Sequence, residues 1–139
     1  MHRRPLGPGR RLAFIAALVL VIGCVLPWYR LGGDGGLPAV VYRAFDGSGI
    51  LAFLAGLATL ALVALPYAVG DRTTGVDRGL VFGLLAAAAV VGVLLWVPNT
   101  LASPAGLLPD RAFGFWFSVA GTVMLARAAY EITLEPARR

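Results

Sequence analysis

Few side chains in this sequence could do chemistry, and their distribution is the first finding. There is one histidine, His2, and one cysteine, Cys24. A Ser-His-Asp arrangement would need His2, which lies in the N-terminal tail. No HExxH, P-loop or dinucleotide fingerprint occurs, and no CxxC or His/Cys cluster could hold zinc. The seven acidic residues lie in loops or at segment ends. Asp34 and Asp46 fall between the first two apolar segments and Asp110 between the last two. They could meet over a cation; solvated or helix-capping roles are the simpler expectation. We therefore expect no catalytic residue, no cofactor and no metal.

Cys24 has its own context. Val21-Ile22-Gly23-Cys24 resembles the processing signal of bacterial lipoproteins, in which an aliphatic and a small residue precede the lipidated cysteine. A basic stretch, Arg10-Arg11, and an apolar run lie upstream as that signal requires. Val25-Leu26-Pro27-Trp28 then continues the apolar run where a lipoprotein turns polar. The competing expectation is a buried cysteine that packs as a small apolar residue.

The elements that would position these groups are read from hydropathy. Of 139 residues, 59% are hydrophobic and 14% charged, against about half and about a quarter in soluble domains. The excess lies in four blocks, at 12–28, 50–69, 79–97 and 112–129. Each has a length suited to crossing a bilayer, for which about 20 apolar residues suffice. Arg127 is the sole charge within them and lies near an end, where its stem can carry the guanidinium to water. The expected fold is an all-α membrane protein, a bundle of four transmembrane helices in one domain. The helices are placed at about 12–28, 48–69, 79–97 and 111–130, with a tail at 1–11, outer loops at 29–47 and 98–110, and an inner turn at 70–78.

Orientation follows from charge. All twelve basic residues are arginines and the net charge is +5. Arg3, Arg4, Arg10, Arg11, Arg72, Arg78, Arg127, Arg138 and Arg139 fall on one side of a four-span chain, Arg30, Arg43 and Arg111 on the other. The positive-inside rule then puts both termini in the cytoplasm, and arginine without lysine suggests a GC-rich bacterial genome, hence a bacterial inner membrane. The bilayer accounts for the charge, so no nucleic-acid partner is expected. Trp28, Trp96 and Trp116 mark the outer ends of three segments, as interfacial residues would. Asp77 and Asp110 stand before the last two segments as N-caps. The apolar stretch 37–45 reads as a short strand or an interfacial segment, and the two outer loops could cap the bundle together.

Small residues suggest where helices meet, because in lipid close backbone approach drives association. Gly79, Gly83 and Ala87 recur at spacing four in the third segment; Gly114, Ser118, Thr122 and Ala126 do so in the fourth. These two ridges are expected to pack on each other, or to serve a homo-oligomer. Arg43-Ala44-Phe45 and Arg111-Ala112-Phe113 hint at two duplicated hairpins.

Pro27-Trp28 closing the first segment, Asp46-Gly47-Ser48-Gly49 opening the second and Gly114-Phe115-Trp116 opening the fourth resemble a pattern in small, uncharacterised four-span membrane proteins of GC-rich bacteria. That resemblance implies a fold and no activity. The leading expectation is a structural or interaction protein, such as an accessory subunit of a larger membrane complex. A small oligomeric channel or transporter component is the alternative. It lacks the buried carboxylate that proton coupling uses. An enzyme acting on lipid or quinone would have to draw on Asp34, Arg43, Asp46, Asp110 and Arg111.

Overall fold

The computed structural model describes residues 7–33, 35–36, 38–69, 77–102 and 109–134. Helix α1 spans Pro8–Val25, α2 Gly49–Val69, α3 Arg78–Leu94, α4 Val97–Leu101 and α5 Pro109–Leu134. Strands β1 (Tyr29–Leu31) and β2 (Val40–Tyr42) lie between α1 and α2, followed by a 3-10 turn at Ala44–Asp46. The fold is a helical bundle in which α1, α2, α3 and α5 are the long members.

Local chemistry sets the boundaries. Pro8 occupies the first turn of α1, where its fixed φ suits a helix and its missing N–H costs nothing. Arg10 and Arg11 therefore lie inside α1 and not in the expected tail. The helix ends at Val25 because Leu26, just before Pro27, is extended. Asp77 caps α3, its carboxylate accepting from the Gly79 N–H at 2.9 Å. Asp110 differs from expectation: α5 already starts at Pro109, so it lies in the first turn. Asp46 accepts from the Arg43 N–H at 2.6 Å and so closes the 3-10 turn. Ser48 donates instead to the Gly92 carbonyl of α3 at 3.1 Å.

The stretch at 29–42 is an antiparallel hairpin pairing Tyr29 with Tyr42, Arg30 with Val41 and Leu31 with Val40. Gly32, Gly33, Gly35 and Gly36 carry its tip at φ between +74° and +91°, a backbone that side chains disfavour. Residues 70–76 of the expected inner turn and 103–108 of the second outer loop lie outside the described residues.

Neighbouring long helices run antiparallel. α1 packs against α2 and α5, and α3 against the same two, so the four close into a ring. The most extensive interface joins α1 to α5. The first turn of α1, the start of α3 and the end of α5 thus share one end of the bundle. The hairpin, the 3-10 turn and α4 share the other.

Two helical stretches, Pro8–Val25 and Ala112–Leu134, are long and apolar enough to cross a membrane, where the sequence suggested four. Gly49–Leu65 and Arg78–Leu94 are apolar but shorter among the described residues. α3 is cut short because the chain turns at Leu95 and Trp96 before entering α4.

Candidate functional site

The candidate site is the seam between α1 and α5, closed at one end by aromatic rings. On α1 the buried residues Gly9, Ala13, Ala16, Leu20 and Gly23 recur at alternating steps of four and three. On α5 Gly114, Ser118, Gly121, Leu125, Ala128 and Ile132, all buried, do the same. Two helices with this 3.5-residue period keep one seam in contact along their length.

Along the seam glycine meets backbone or a larger residue. A Cβ on Gly114 would stand 2.5 Å from the Pro27 oxygen, and one on Gly23 2.6 Å from the Ser118 nitrogen. A Cβ on Gly121 would stand 2.6 Å from the Leu20 nitrogen, and one on Gly9 2.9 Å from the Ile132 side chain. At the far end the Gly114 N–H donates to the Pro27 carbonyl at 3.1 Å. That bond ties the opening turn of α5 to the peptide beyond α1.

The polar atoms of the seam serve packing. The Ser118 hydroxyl donates to the Gly114 carbonyl one turn back, at 3.0 Å, and its oxygen lies 3.8 Å from the Cys24 sulfur. Cys24 is free and fully buried. In α2 the Thr59 hydroxyl donates to the Ala55 carbonyl at 2.8 Å. Thr122 is the exception, its hydroxyl buried with no hydrogen-bond partner.

The aromatic end was misjudged from sequence in an informative way. Trp28 and Trp96 were expected at the headgroup layer, but Trp28 is fully buried and Trp96 is 5% exposed. The Trp28 indole donates to the Gly23 carbonyl at 2.9 Å. Its ring meets Trp96 edge-on at 5.4 Å and Phe115 at 5.5 Å. Gly47 and Gly49 leave room for these rings, since a Cβ on either would fall within 2.8 Å of one of them. The Trp96 indole nitrogen is buried with no partner. Only Trp116 keeps an exposed, interface-like position.

The expected ridges behave differently from each other. Gly114, Ser118 and Thr122 are buried, while Ala126 is exposed. Gly114 and Ser118 face α1, not α3, which redirects the expected pairing of the third and fourth segments. On α3, Gly79 packs against Thr133 of α5, Gly83 has nothing within 4 Å of a would-be Cβ, and Ala87 is exposed. Gly23 and Gly121 fall outside the expected ridges, which recur at steps of four. Heptad spacing, Gly9 to Ala16 to Gly23 on α1 and Gly114 to Gly121 on α5, picks them out.

No group of three or more His, Cys, Asp or Glu that could hold a metal occurs among the described residues. Comparison with known proteins returned no matching family model, no matching curated protein and no matching solved structure.

Proposed function

We propose that this chain is an integral membrane protein, a four-span bundle with both termini in the cytoplasm of a bacterium. Its role in this reading is structural: an accessory or interaction subunit of a membrane complex. The observation that carries it is the sorting of side chains by size. Half of the buried hydrophobic residues among those described are alanines, Ala13, Ala16, Ala17, Ala52, Ala55, Ala86, Ala89 and Ala128 among them. Leu20 and Leu125 are buried, but most large aliphatics point outward, with Val123 64%, Leu84 62% and Leu80 58% exposed. Water would favour the reverse, since burying a leucine stabilises a soluble fold far more than burying an alanine. In hydrocarbon the outward leucines cost nothing, and small residues let helices approach.

Helix length and charge support the same reading. The 17 residues of α3 rise about 25 Å at about 1.5 Å each, near the lower limit for a span. Arg10, Arg11, Arg78 and Arg127 gather at one end of the bundle; Arg30 and Arg43 lie at the other. Arg127 is held at 3.1 Å by Glu131 one turn on, largely in the open. An activity is not needed to explain any of these features.

Alkaline washing of membranes from expressing cells tests insertion, and reporters fused to the C-terminus and to the hairpin tip test orientation. The chain is expected in the washed pellet, with the C-terminal reporter cytoplasmic and the hairpin reporter outside. Recovery in the supernatant would refute insertion. For the interaction role, purification in mild detergent is expected to yield an oligomer or a stoichiometric companion. A bare monomer from its native membrane would count against it.

A further inference from the structure

The inner end of α1 holds a feature that the seam does not use. A shallow groove, open to the outside along most of its length, runs past Pro8, Arg11, Leu12 and Ile15. These positions recur at helical spacing, so they share one face of α1. Arg11 is exposed and its guanidinium has no ion-pair partner among the described residues. Leu12 rests against the core and Ile15 is 43% exposed.

We propose, on the membrane reading above, that this groove binds one anionic phospholipid, its phosphate on Arg11 and an acyl chain along Leu12 and Ile15. The order of groups fits that ligand. Arg11 lies nearer the bundle end, and Ile15 one turn, about 5 Å, deeper. Helical side chains lean toward the N-terminus, which carries the guanidinium further toward the headgroup layer. A planar guanidinium matches a phosphate with two parallel hydrogen bonds. A zwitterionic lipid would satisfy the apolar wall but bring a second cation beside Arg11. A free anion would meet Arg11 and leave Ile15 unused.

The test uses the full chain in mild detergent, supplied with equal amounts of phosphatidylglycerol and phosphatidylcholine, with retained lipid counted by native mass spectrometry. The expected preference for phosphatidylglycerol is about fivefold, the scale of one arginine near an anionic headgroup. Arg11→Gln is expected to bring it to about parity. Arg30→Gln, at the opposite end, is expected to leave it unchanged. Ile15→Trp, which fills the groove and keeps the charge, is expected to lower the retained lipid. Inorganic phosphate in millimolar excess is expected to displace none of it. A preference that survives Arg11→Gln, or falls equally with Arg30→Gln, overturns the site. So does parity in the unaltered protein, which leaves the membrane reading intact if the chain still resists alkaline washing. Release by that wash removes both.

Discussion

α5 and α3 carry similar ridges of small residues, and the bundle uses them in opposite ways. On α5 the ridge faces inward, Ser118 touching α1 and Gly114 the peptide just beyond it. On α3 it drifts off the packed face: Gly79 is inside, Gly83 lies beside open space and Ala87 is exposed. A step of four residues advances 400° around a helix of 3.6 per turn, about 40° past a full turn. Three such steps leave any face. Among the buried residues of α3, Gly79, Phe82, Ala86, Ala89 and Val93 instead alternate steps of three and four, with Gly92 beside Val93. Small size lets helices approach; the alternating period decides which small residues do so.

Substitutions can break this comparison, and the largest effects belong to the seam. Gly114→Ala and Gly121→Ala each put a methyl against backbone and are expected to destabilise the bundle by about 1–3 kcal/mol, read as a lower unfolding midpoint in detergent. Equal tolerance at Gly114 and Gly83 would dissolve the contrast. Thr122→Val keeps the shape and removes an unpartnered hydroxyl, so a gain of about 1 kcal/mol is expected. A loss there would mean that the hydroxyl finds a partner in solution. Gly83→Ala meets no neighbour and should gain up to about 1 kcal/mol from helix propensity. If it destabilises, or shifts the apparent mass in detergent, then Gly83 packs against a second copy. Ser118→Ala is the mildest, costing about 0.6 kcal/mol, because its hydrogen bond stays within α5.

The helices were legible because hydropathy and punctuation agree. Asp77 caps α3, and Pro27 follows the break after α1. In the two Arg-Ala-Phe triplets Ala44 and Ala112 are both fully buried, Ala44 opening the 3-10 turn and Ala112 at a non-helical φ/ψ inside α5. What the sequence hid was partnership. Nothing in the spacing of Gly114 and Ser118 says whether α1 or α3 lies opposite, since that depends on how the ring closes. Trp28 and Trp96 misled for a related reason. An indole near a helix end suits the interface or a core with a carbonyl in reach, and Gly23 supplies that carbonyl for Trp28. The hairpin was foreseen only as one of two possibilities, because a three-residue strand has too little alternation to read.

The α1–α5 seam also dictates an order of events during synthesis. Cys24 and Ser118, which meet across it, are 94 residues apart. α1 therefore emerges from the ribosome long before its closest partner exists. Until α5 arrives, the face bearing Gly9, Ala13, Ala16 and Gly23 stands open, with α2 alone beside α1. Closure of the ring waits for α5, and a nascent chain stalled before it would leave that face uncovered.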